Sequence, residues 1–214
     1  LACIAIGAGR ARGVLSAEEE HKLVSGLLEL PRLVTEALKQ SEHIETIARD
    51  IAKATGIFYI GRGVSYPMAL EGALKLKEIS YIHAEGYASG ELKHGPIALI
   101  DENLPIAVIA PMDGHFEKTV SNMQEVMARD GKALLISCKD GIAKAGARAW
   151  ATIETPKTHP MLSPIVYAVP IQLLAYYTAT TKGTDVDQPA IAFTEKQMQL
   201  MVNLPADYML QKVR

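Results

Sequence analysis

The stretch IFYIGRGVSYPMALEGALKLKEISYIHAEGYASGELKHGP, residues 57–96, decides how this chain is read. It opens on a continuous apolar run, Ile57–Ile60, turns through Gly61 and Gly63, and carries a helical pattern from Pro67 to Ile79. An apolar run without polar alternation marks a strand buried on both faces, as in parallel sheets. The glycines permit a tight turn with close backbone approach, and proline suits a first helical turn because the N–H it lacks would be unpaired there. A further stretch near His83–Tyr87 follows.

Toward the carboxyl terminus the alternation repeats. Strands are expected at Pro105–Ala110, Lys132–Ser137 and Ala151–Glu154, and helices at Phe116–Arg129 and Pro164–Thr181. This pattern predicts an α/β domain, a doubly wound three-layer parallel sheet preceded by helices. Ligands of such sheets bind beyond the carboxyl ends of the strands, which singles out Gly61–Ser65, Ala110–Gly114 and Ser137–Gly141.

Toward the amino terminus, Ser16 to about Ala54 is amphipathic and helical. Ser16 and Glu19 have capping-box spacing, Leu23, Leu27 and Leu28 recur at helical intervals, and Pro31 is expected to divide the segment into two helices. Gly7, Gly9 and Gly13 are spaced G-x-G-x-x-x-G rather than as a dinucleotide-binding turn, so residues 1–13 read as a helix tail with arginines near a glycine cap. Leu1 lies inside an apolar run, which reads as a cut through an element with something upstream missing.

Glu71, Lys75 and Glu78 recur at i, i+4 and i+7, which places them on one helix face, while Lys77 points elsewhere. They form a narrow polar stripe among Ala69, Leu70, Ala73, Leu74, Leu76 and Ile79. One carboxylate of the stripe is a candidate general base on a carbon acid, held by the neighbouring ammonium. It is expected to project into a crevice at the sheet's carboxyl edge. His94 lies among turn residues, on a loop or helix end, where an imidazole can move a proton near neutral pH. His21, His43, His83, His115 and His159 have no metal-ligand spacing, so no metal is expected.

The 214 residues, 49% hydrophobic and 21% charged with a net charge of -2, predict one sizeable core and no broad basic field, hence no nucleic-acid partner. Cys3 and Cys138 are too few for a disulfide framework, and no apolar stretch reaches membrane length. A cytoplasmic chain without a membrane partner is the expectation.

The run 61–101 and the segment PIVYAVPIQLLAYYTATTKGTDVDQP, residues 164–189, together resemble the second sugar-isomerase (SIS) domain of the glutamine–fructose-6-phosphate aminotransferase family. That resemblance covers roughly residues 1–189 and implies a flavodoxin-like SIS fold, a sugar-phosphate substrate and no cofactor. It implies that Glu78 is the base between C1 and C2, that Glu71 and Lys75 support it, and that His94 acts in opening the sugar ring from the neighbouring subunit of a homodimer. Gly61, Gly63 and Ser65 are the substrate-binding candidates.

It also implies an upstream isomerase domain with a serine- and threonine-lined phosphate loop, and a glutaminase domain, both lying before Leu1. The division expected is a helical linker at 1–54, the SIS domain at 55–189 and an atypical tail at 190–214. In that tail a helix is expected from Phe193 to Val202 with a break at Pro205, and neither Lys196 nor Lys212 has the context of the family's imine-forming lysine. The fragment alone is expected to be inactive; the alternative is a stand-alone sugar-phosphate sensor.

Overall fold

The computed structural model describes residues 1–188. Three helices lead in: α1 (Ala2–Ala11), α2 (Ala17–Leu38) and α3 (Ser41–Ile51). Gly13 takes a positive φ of 69° just beyond α1, and Arg10 occupies the last turn of that helix, as its sequence suggests. The capping box is formed: the Ser16 hydroxyl accepts from the Glu19 N–H, and the Glu19 carboxylate accepts from the Ser16 N–H.

Pro31 does not divide α2. The helix runs through it, and the break falls at Lys39–Gln40. Leu23, Leu33 and Ala37, on both sides of the proline, are buried along one face, so packing holds the two halves in line at the cost of one backbone hydrogen bond.

Five parallel strands follow: β1 (Gly56–Gly61), β2 (His83–Ala88), β3 (Pro105–Ile109), β4 (Lys132–Ser137) and β5 (Ala151–Glu154), in spatial order β2-β1-β3-β4-β5. Between them lie α4 (Ser65–Ser80), α5 (Phe116–Met127) and α6 (Lys139–Ala145), and α7 (Ser163–Lys182) closes the domain. The α6 helix was not among the expected helices and begins within Ser137–Gly141, one of the three places singled out for a ligand.

Successive side chains of a strand face opposite ways, so the inner strands β1, β3 and β4 feed two cores. Ile57 and Tyr59 of β1, Leu134 and Ile136 of β4, and Ile153 of β5 pack under α3, α4 and α7. Phe58 and Ile60, with Ile106 and Val108 of β3 and Leu135 of β4, pack under α5 and the 3₁₀ turn Ser89–His94. That is a three-layer doubly wound α/β domain. Gly86 of β2 lets α4 lie directly on the strand, since a Cβ there would stand 2.8 Å from the Ala69 carbonyl.

No helix among the described residues is long and apolar enough to cross a membrane. The helix expected at Phe193–Val202, the break at Pro205, and Lys196 and Lys212 lie outside the described residues.

Candidate active site

The turn from β1 into α4 is built from the residues the sequence singled out. A Cβ on Gly61 would lie 2.3 Å from the Ser65 carbonyl oxygen, and Gly63 has a φ of +54° with its Cα facing the His115 ring. Ser65 is buried. The Ser65 and Tyr66 N–H groups donate to the Arg62 and Gly63 carbonyls, and Pro67 has none to offer. The first turn of α4 is therefore closed by its own backbone. Beside it the Arg62 guanidinium donates to the Asn122 side chain at 3.0 Å, and Asn122 in turn donates to Glu125, which pairs with Lys93 at 2.9 Å.

Two of the three places singled out, Ala110–Gly114 and Ser137–Gly141, contribute to one cavity of about 140 Å³ at the carboxyl edge. Met112, Asp113, Cys138, Ser163 and Tyr167 line it. Burial pushes the Tyr167 phenol above its ordinary range. The Gly61–Ser65 turn does not border this cavity.

Glu71, Lys75 and Glu78 share the outer face of α4. Lys75 Nζ donates to Glu78 Oε2 at 2.8 Å, and the Glu71 charge also acts on Lys75. Lys77 leaves this group, reaching the Ala84 carbonyl at 3.4 Å. The Glu78 side chain is 26% exposed and that of Lys75 37%.

The expected position of Glu78 at the carboxyl edge is corrected by the topology. α4 runs back against the strands, and Ser80 leads into the start of β2, which pairs with the start of β1. At 1.5 Å per residue, thirteen residues of helix put Glu78 about 20 Å from the turn at Ser65. It stands at the amino edge, on the outer surface of the helix layer.

The stripe is also less enclosed than its sequence suggests. Tyr66, Leu70 and Leu74, at four-residue intervals on the adjoining strip of α4, are 37–44% exposed.

His94 ends the 3₁₀ turn after β2 and is exposed. Leu92 belongs to the core on the far side of the sheet, and Lys93 pairs with Glu125 of α5. The sheet thus lies between the His94 segment and the Glu78 face within one chain. No group of His, Cys, Asp and Glu among the described residues is arranged to hold a metal ion. Sequence reasoning missed Arg62 and Asn122, whose pairing across 60 residues leaves no local signal.

A model of the SIS domain matches residues 50–182. The chain belongs to the SIS domain family. Over 189 residues it is 62% identical to glutamine–fructose-6-phosphate aminotransferase [isomerizing] of Bradyrhizobium diazoefficiens and 58% identical to the protein of that name from Zymomonas mobilis. Those alignments take 88% of this chain and 31% of each relative, so the chain spans under a third of their length. Among solved structures, the C-terminal domain of glucosamine-fructose-6-phosphate aminotransferase from Francisella tularensis superposes with a TM-score of 0.84 at 42% identity. The match covers 86% of this chain and 52% of that one. The SIS fold implied by the resemblance of residues 61–101 and 164–189 is the fold observed.

Proposed function

We propose that this SIS domain supplies the isomerase carboxylate of a glutamine–fructose-6-phosphate aminotransferase. Glu78 moves a proton between C1 and C2 of the opened sugar phosphate, Glu71 and Lys75 hold it in place, and His94 acts in ring opening. Aldose–ketose interconversion takes a proton from one carbon and returns it to its neighbour, work suited to one carboxylate with reach to both.

The observation that carries the reading is the outer face of α4. A carboxylate held at 2.8 Å by its own lysine stands there beside exposed Tyr66, Leu70 and Leu74. An apolar strip next to a paired charge is a surface that a second module covers, and covering it encloses the carboxylate. In this reading the cover is the upstream isomerase domain, whose loop holds the phosphate. His94 comes from a second copy of the chain, because the sheet separates it from Glu78. Gly61, Gly63 and Ser65 set the helix that presents the carboxylate.

The test is kinetic. The 214-residue chain with fructose 6-phosphate and ammonia should make essentially no glucosamine 6-phosphate. Given both the upstream part and the carboxyl-terminal tail of the Bradyrhizobium relative it should turn over, and Glu78→Gln in that fusion should lower kcat about 10²–10⁴-fold. A fusion indifferent to Glu78→Gln would overturn the assignment. Tight calorimetric binding of fructose 6-phosphate by the chain alone would favour a sensor instead.

A further inference from the structure

Because the strands are parallel, all their starting residues meet at the amino edge. There a cavity of about 460 Å³ opens between the end of α3, the turn before β3 and the starts of β4 and β5. Its volume is that of a small-molecule site. Asp50, Lys53, Thr55, Asn103, Lys132 and Trp150 line it.

Asp50 and Lys53 pair with each other at 2.8 Å. The remaining four polar side chains are unspent. The Lys132 ammonium, the Trp150 indole N–H, the Asn103 carboxamide and the Thr55 hydroxyl make no hydrogen bond or ion pair among the described residues. Their sum is rich in donors and carries one uncompensated positive charge, the complement of an anion. Trp150 also packs against the core beneath α3 and α7, so its indole is a fixed wall. A fixed indole beside an unpaired ammonium suits a planar ring that carries an anionic group. The end of α3 turns its negative pole this way, and the Asp50–Lys53 pair beside it is neutral overall.

We propose that this amino-edge cavity binds a small anion bearing a planar ring, of the chemical class of a nucleoside monophosphate. Lys132 meets the anionic group and Trp150 meets the ring. None of the α4 residues takes part, so the site stands or falls apart from the isomerase reading.

Trp150 is the single tryptophan of the chain, so its fluorescence reports this cavity directly. With AMP as the probe, the 214-residue chain should show saturable quenching. Adenosine and inorganic phosphate, each offering half of the ligand, should bind at least about tenfold more weakly by calorimetry. Lys132→Ala should weaken AMP binding at least about tenfold, the loss of one charge-assisted contact, with an unchanged urea midpoint. Quenching that stays linear in AMP to about 10 mM, or an affinity indifferent to Lys132→Ala, would overturn the proposal.

Discussion

Lys75 carries the clearest electrostatic signature on the α4 face. Its hydrogen bond to Glu78 raises its pKa above the ordinary lysine value, partial burial works against that, and the charges of Glu78 and Glu71 add to it. A raised pKa in the folded state contributes stability that is present below the unfolded lysine value and lost as pH climbs through the folded one. The stability that Lys75 contributes through the pair is therefore present at neutral pH and lost in alkali. Glu78→Gln should move the Lys75 titration back toward ordinary lysine, read by NMR at its Cε, with less than about 1 kcal/mol of stability lost because the pair is partly exposed to screening solvent. An unmoved titration would show that the pair does not persist in solution. Sequence spacing found this group because 100° per residue fixes which face a side chain shares. It did not give the height along the axis, since the rule placing ligands at the carboxyl edge concerns loops, whereas Glu78 sits near the far end of a sixteen-residue helix.

Among the elements, α2 departs from its local propensity at Pro31. Pro31 is exposed within a continuous 22-residue helix and gives the Leu27 carbonyl no N–H. Pro31→Ala should raise stability by about 1–3 kcal/mol, seen as a higher urea midpoint with an unchanged slope. A lower midpoint would mean that the proline fixes the line of the helix rather than merely being tolerated. Local pattern predicted a break there because it does not register that Leu23, Leu33 and Ala37 are buried together. The apolar strands β1, β3 and β4 were legible to within a residue, since runs such as Ile57–Ile60 have one reading between turn signals. α6 was not, because seven residues that include Gly141 carry too little periodicity to separate a helix from a loop.

At the scale of the whole molecule, the sheet divides the proposed chemistry between its two faces. If Glu78 of one copy works with His94 of another, a fusion carrying Glu78→Gln and one carrying His94→Ala should each be inactive and should regain activity when mixed. A random mixture restores about a quarter of the sites, because only mixed dimers hold one site with neither change. No recovery after subunit exchange would place both residues in one copy's site. This division was beyond the reach of residue patterns, because it depends on which side of β2 the chain takes after Ala88. Strand order has one more consequence, for synthesis. Once β1, α4 and β2 have joined, β3 takes the free flank of β1, and β4 and β5 then each take the open flank its predecessor has just created. The nascent polypeptide never has to force a late strand between two settled ones, and α7, emerging after all five strands, seals the hydrophobic side that the earlier helices left uncovered.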